Sequence, residues 1–200
     1  MHLLPSDGAV RIGGQDVAAL GARARRRLHD QKIGIVRQHA GEELWMDVSA
    51  GGNIAHRLLA MGHRDFADIR RRAEQAYLDV ELPEGRVDAP VVTFSGGMRQ
   101  RVQIARAMVA GPEVLLLDEP TTGLDVSVQA RILDLIRRLQ RRTGVAMVVV
   151  SHDLAVIRML ADRLLVMHRG EVVEHGVTDR VLSDPTHPYT QLLVSSRLEA

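Results

Sequence analysis

The run Val114-Leu115-Leu116-Leu117, closed by Asp118-Glu119-Pro120, sets the tightest limit on what this chain can fold into. Four consecutive apolar residues, too few for a core helix and lacking a polar face, fit a strand buried on both sides. After it, Val128, Ile132, Leu135, Ile136 and Leu139 recur at i, i+4, i+7, i+8 and i+11, an amphipathic helix ending near Gly144. Val145 to Ser151 predicts a second buried strand, ending in His152. Two apolar strands separated by a helix-length crossover pair in parallel. Lys32 to Arg37, carrying Ile33, Ile35 and Val36, predicts another strand that delivers Gln38 to its end. The expected fold class is therefore α/β, a parallel sheet with helices on its faces.

The remaining segments fall around that core. Met1 to Asp7 has no strand pattern and looks like a tail, and Gly13-Gly14 between Val10-Arg11-Ile12 and Asp16-Val17 is a hairpin signal. Ala22 to Asp30 is a polar helical stretch. From Asp47 to Pro112 the pattern turns helical, with helices expected over Asn53 to Met61 and Phe66 to Leu78, and with Pro83, Gly85 and Pro90 as breakers. Val102, Ala105, Met108 and Val109 follow at helical spacing. Asp153 to Ala161 reads as a helix, Leu164 to Met167 and Val172 to Glu174 as a hairpin over Arg169-Gly170, and Asp179 to Leu182 as a short helix. The expected division is 1–46 with 113–200 as the α/β core and C-terminal extension, and 47–112 as a helical subdomain.

A net charge of +1 points neither toward nor away from a polyanion, and 2% aromatic residues are too few for a stacking platform, so nucleic acid is not an expected partner. All the basic residues but Lys32 are arginines, in short clusters that suit solvated helix faces. With no cysteine there are no disulfides or thiolate metal sites, and His39, His56, His63 and His175 form no metal-ligand spacing and are expected at the surface. No apolar run approaches the ~20 residues of a membrane helix. The first residues are too few and too polar for a signal peptide, so a cytoplasmic protein without a membrane span is expected.

In open α/β sheets ligands gather beyond the carboxyl ends of the strands. That places Gln38, Asp118-Glu119 and His152 together. A carboxylate there can hold Mg²⁺ while its neighbour polarises a water, and consecutive strand-end residues point in different directions. We assign Asp118 to the metal and Glu119 to the general base. Ser95-Gly96-Gly97-Met98 opens the amphipathic helix of Val102 and Ala105, and its glycine amides with the serine hydroxyl make an anion site suited to a γ-phosphate.

Each motif alone is ordinary. In this order and spacing, Gln38, Ser95-Gly96-Gly97, Asp118-Glu119, Asp125 and His152 resemble the ATP-binding cassette (ABC) ATPases, a P-loop NTPase-like fold with a helical subdomain. The resemblance implies that Ser95, Gly96, Gly97 and Met98 are the signature motif and that Val114 to Glu119 is the Walker B strand. It also implies that Gly123-Leu124-Asp125 is the D-loop at the dimer interface, and that His152 is the switch histidine on the γ-phosphate. Gln38 becomes a catalytic residue and second metal contact. ATP and Mg²⁺ are the implied cofactors, ATP hydrolysis the implied activity, and a homodimer sandwich the implied assembly. Met98 stands where many members carry glutamine, and the backbone amides are expected to keep the contact.

Such a site also needs a phosphate-cradling Gly-x-x-x-x-Gly-Lys-[Ser/Thr] loop, the Walker A. The single lysine, Lys32, precedes Ile33, so no such loop lies within these 200 residues. The missing N-terminal strand–loop–helix is about one ~30-residue βαβ unit. Two readings stand. The sequence is part of a longer working ATPase, or it is a degenerate subunit that donates only its signature motif to a competent partner. Finer segments are similar to the ATP-binding subunits of phosphonate carbon–phosphorus lyase systems: Val48 to Ile54, Thr93 to Met98, Gly123 to Arg131, Ala161 to Met167 and the tail His187 to Ser196. That resemblance implies docking on a C–P lyase core complex. The His-Pro-Tyr-Thr tail is shared with dipeptide and oligopeptide importer ATPases, whose partners are ABC permease subunits.

Overall fold

The computed structural model describes residues 8–196; the tail segment Met1 to Asp7 lies outside them. A small antiparallel hairpin, β1 (Arg11–Ile12) and β2 (Gln15–Asp16), turns at Gly13-Gly14 as expected. Helix α1 (Ala22–Lys32) runs two residues beyond the expected end and feeds directly into β3 (Ile33–Val36). A one-turn helix, α2 (Ala40–Glu43), follows that the sequence pattern did not single out, because four residues carry no periodicity.

Helices α3 (Ala50–Ala60), α4 (Phe66–Asp79) and α5 (Gly96–Met108) pack on one another, and α5 also lies on β3. Each begins with a side-chain cap: Ser49 accepts from the Gly52 amide, Asp65 from Asp68, and Ser95 from Met98. The loop into α3 is pinned by Asn53, which is 1% exposed. Its amide nitrogen donates to the carbonyls of Trp45, Val48 and Ser49, and its oxygen accepts from the Trp45 amide at 2.9 Å.

The centre is a parallel sheet of β3, β4 (Val114–Asp118) and β5 (Ala146–Val150), in the order β3-β4-β5. Val36 pairs with Leu117 and Asp118 with Val150, so the three strands end together. Leu115 and Leu117 are buried, as is the stripe Ile132, Leu135, Ile136 and Leu139 on α6 (Val126–Thr143). That helix ends at Gly144, whose φ of +69° is the left-handed conformation that closes a helix C-terminus. One expectation fails: β5 is not a buried strand. Among the described residues it pairs only with β4, and Val148 and Val150 are 54% and 58% exposed. An apolar run signals burial in general but not which neighbour supplies it.

Helix α7 (Leu154–Leu160) returns to a second antiparallel hairpin, β6 (Arg163–His168) and β7 (Glu171–Val177), longer than expected and turning at Arg169-Gly170, both with positive φ. Leu165 and Met167 of β6 are exposed. Helices α8 (Thr178–Ser183) and α9 (Pro188–Ser195) complete the chain, α9 from a tail for which the sequence predicted no helix. Glu174 of β7 accepts from the Thr186 amide (2.9 Å), the Thr186 hydroxyl (3.0 Å) and the His187 amide (3.1 Å), and His168 stacks on Tyr189 at 4.0 Å. The His-Pro-Tyr-Thr segment is thereby fastened to the hairpin.

Candidate nucleotide-binding site

The aligned ends of β3, β4 and β5 bring Gln38, Asp118, Glu119 and His152 to one edge of the sheet. Gln38 is exposed two residues beyond β3. The strand end that carries it is held by Gln103 on α5, 2% exposed. With its amide oriented to satisfy both atoms, Gln103 donates to the Arg37 carbonyl at 3.1 Å and accepts from the Arg37 amide at 3.0 Å. Sequence reasoning missed Gln103; the available signal was a glutamine between Val102 and Ile104 in an otherwise apolar stretch.

Asp118, the last residue of β4, is exposed. Glu119 turns sharply: its φ is +45°, rare for a residue with a Cβ, and its amide donates to the Val150 carbonyl at 2.9 Å. The turn folds its carboxylate back over β5, where Oε1 accepts from the His152 amide (2.8 Å) and meets His152 Nδ1 at 2.6 Å. Oε2 accepts from the Ser151 hydroxyl at 3.1 Å and the Thr122 hydroxyl at 3.3 Å. Burial alone would raise the Glu119 pKa, but the hydrogen bonds from His152 and Ser151 outweigh it and leave the carboxyl below its usual range. Adjacent residues thus have separate environments, Asp118 open and Glu119 enclosed. Ser151 and Thr122 are contacts the sequence did not disclose.

The helix-opening motif lies elsewhere. Ser95 caps α5 with its oxygen 3.3 Å from the Met98 amide, so that amide is engaged within the helix while Gly96 and Gly97 precede it. The Met98 side chain packs against the core. A Cβ on Gly97 would sit 2.5 Å from Val128 Cγ1, whereas one on Gly96 would meet Leu124 Cδ2 at an ordinary 3.5 Å. The second glycine therefore also permits close approach of α5 to α6. Ser95, Gly97 and Met98 line a cavity with Arg101, Arg131 and Arg138 that includes none of the strand-end residues. Asp125 caps α6, accepting from the Ser127 hydroxyl at 2.7 Å and the Val128 amide at 3.0 Å, and these bonds hold its carboxyl below the ordinary value.

Of the four histidines expected at the surface, His56 and His63 depart: both are partly buried, and the His56 ring packs edge-on against Trp45 at 4.2 Å. Among the described residues no three His, Asp or Glu side chains cluster to hold a metal, and no helix is long and apolar enough to cross a membrane.

Comparisons with known proteins agree with this geometry. Residues 1–122 match the family model described as ABC transporter. Over 198 residues the chain is 53% identical to the phosphonates utilization ATP-binding protein PhnK of Escherichia coli (strain K12), covering 99% of this chain and 79% of that protein. A peptide import ATP-binding protein of Brucella ovis is 36% identical over 96% of this chain and 60% of its own length. The oligopeptide transport ATP-binding protein OppD of Bacillus subtilis is also 36% identical, with 53% of its length covered. Among solved structures, the dimeric ATP-binding cassette MJ0796 bound to ADP and Pi superposes with a TM-score of 0.75 at 30% identity, over 87% of this chain and 75% of that one. Structure cbiO1 from Clostridium perfringens gives 0.81 at 28% identity, over 91% and 70%. The fold, the order of the strand-end residues and these relatives place the chain in the ABC transporter family, as an ATP-binding cassette.

Proposed function

We propose that this chain is the ATP-binding, ATP-hydrolysing cassette of a phosphonate-utilisation system, coupling ATP to phosphonate breakdown by a C–P lyase core complex. The observation that carries the chemistry is Glu119, held beside Asp118 by His152 and Ser151 at the aligned strand ends. The identity to the E. coli protein carries the pathway.

In this reading Glu119 takes the proton of an attacking water, His152 contacts the γ-phosphate and fixes Glu119 in its turn, and Gln38 reaches the site from β3. The exposed Asp118 carboxylate, a hard oxygen ligand at a strand end, would hold Mg²⁺, with Gln38 as a second contact. The ion supplies charge neutralisation on the phosphates. Ser95, Gly96, Gly97 and Met98 face a second nucleotide across a dimer, with Asp125 at the interface. Two separate half-sites on one chain suit that sandwich, and MJ0796 is a dimeric relative. A working nucleotide site also needs a phosphate loop, which these 200 residues do not contain. The helical region 47–112 is the docking subdomain, and the protein works in the cytoplasm.

A second reading, the cassette of a peptide importer bound to permease subunits, draws on the tail shared with those ATPases and the 36% identities. One experiment separates the two. The chain, joined to the phosphate-loop segment of E. coli PhnK, is expected to restore growth on a phosphonate as sole phosphorus source in cells lacking PhnK. Glu119→Gln should abolish the rescue. Rescue of peptide import in its place, or full phosphonate rescue by Glu119→Gln, would overturn the proposal.

A further inference from the structure

Behind the strand end that carries Gln38, α1, β3, α2, α3 and α5 line a cavity of about 230 Å³, the volume of roughly seven to eight waters. Its titratable lining is His29, Asp30, Arg37, Glu43, His56, Arg57 and Arg106. The carboxylates do not balance the guanidinium groups. Glu43 is divided between Arg37 at 2.7 Å and Arg106 at 3.8 Å, and Asp30 is drawn to Arg26 at 3.8 Å and His29 at 3.1 Å. Arg57 reaches main-chain carbonyls of Asp30 and Ile33, and Arg106 that of Glu43, so both heads are held in place without spending a carboxylate on each. Arg57 Nε is buried without a hydrogen-bond partner.

Burial lowers the pKa of Arg57 and of Arg106; Asp30 offsets it in part at Arg57, ahead of the opposing Arg106 charge, and Glu43 in part at Arg106, while after burial the Arg106 charge works against His56 as well. Fixed, partly desolvated like charges cost free energy that an anion between them would relieve. Three arginines line the cavity from three places in the fold, the end of β3, α3 and α5. A carboxylate is served by a single planar fork, whereas a group with oxygens in several directions can use all three. We propose that this cavity binds a small tetrahedral oxyanion of the phosphate and phosphonate class. It contains none of Gln38, Asp118, Glu119, His152 or Ser95, though its wall includes Arg37 and Gln103, which hold the strand end that carries Gln38.

The chain carries its own reporter. Trp45 is its one tryptophan, packed on His56 with the Arg106 guanidinium 5.9 Å from its ring centre. The full chain titrated with inorganic phosphate at constant ionic strength should show a saturable change in Trp45 emission, with an apparent Kd of about 1 mM or tighter. Arg106→Met and Arg57→Met should each weaken it at least tenfold. Broadening of the ³¹P resonance of phosphate by the unaltered chain gives a second measurement that needs no variant. Methylphosphonate should compete: tighter competition than by phosphate itself identifies a phosphonate headgroup as the occupant, weaker competition free phosphate, and either supports the class. A response no different from that to chloride, no ³¹P broadening, or unchanged affinity in both variants would overturn the proposal.

Discussion

Replacing Gly97 by alanine tests the packing of the signature helix in isolation. The added Cβ would lie 2.5 Å from Val128 Cγ1, where carbon pairs prefer about 3.5–4.0 Å, so α5 and α6 must part by roughly 1 Å. Val128 cannot swing aside easily, because a β-branched side chain within a helix is nearly confined to one rotamer. Overpacking of this kind costs about 1–3 kcal/mol. At roughly 2–4 °C per kcal/mol for a chain of this size, Tm should fall by about 2–12 °C. Gly96→Ala is the internal control: its Cβ meets Leu124 at 3.5 Å, and alanine gains helix propensity there, so its stability should lie within about 0.5 kcal/mol of the parent or above it. Val128→Ala vacates the clashing methyl, and the double variant Gly97→Ala/Val128→Ala should recover at least about 1 kcal/mol relative to additivity. Urea unfolding of the parent and the four variants reads all of this. Equal stabilities of Gly97→Ala and Gly96→Ala, or strict additivity with Val128→Ala, would refute the close-approach argument and leave Gly97 to its amide alone.

Three other outcomes follow from the contacts described. Asn53→Ala removes three donated bonds and one accepted bond from a buried loop and should cost roughly 2–4 kcal/mol in chemical denaturation; a loss under about 0.5 kcal/mol would mean the loop holds without it. Glu174, depressed from 4.5 to about 2 chiefly by its bonds from Thr186 and His187, favours the folded tail above pH 4.5 and loses that contribution as pH falls toward 2. Hydrogen exchange in α9 should accelerate across that window, and a flat profile would contradict the fastening. Glu119→Gln in the complete ATPase should retain ATP binding, slow hydrolysis roughly 10²–10⁴-fold and accumulate the ATP-bound dimer in size-exclusion chromatography, whereas near-normal turnover would remove Glu119 from the role of base.

The strand ends and the Ser95 cap were legible because they rest on local rules: apolar runs that stop at polar residues, and a serine preceding a helical stripe. What escaped was set by partners distant in sequence. Nothing within Val145 to Ser151 reveals that β5 has a neighbour on one side only among the described residues. No spacing rule links Gln103 to Arg37 or Ser151 to Glu119: the first contact exists because α5 packs on β3 and the second because β4 and β5 end in register, whereas Thr122 meets Glu119 through the local turn after β4. The positive φ of Glu119 was hidden for a similar reason. Glutamate has no preference for that conformation, and four hydrogen bonds to its carboxylate keep it there. The Gly97 amide role was legible as chemistry, but its packing role depends on where α6 crosses.

The outer edge of β5 bears on how these residues behave on their own. Among the described residues that edge has no partner strand, and two valines on it, Val148 and Val150, are exposed, so an extended segment can add to it. These 200 residues expressed alone are therefore expected to self-associate at high concentration, and a charged residue at position 148 should reduce that self-association.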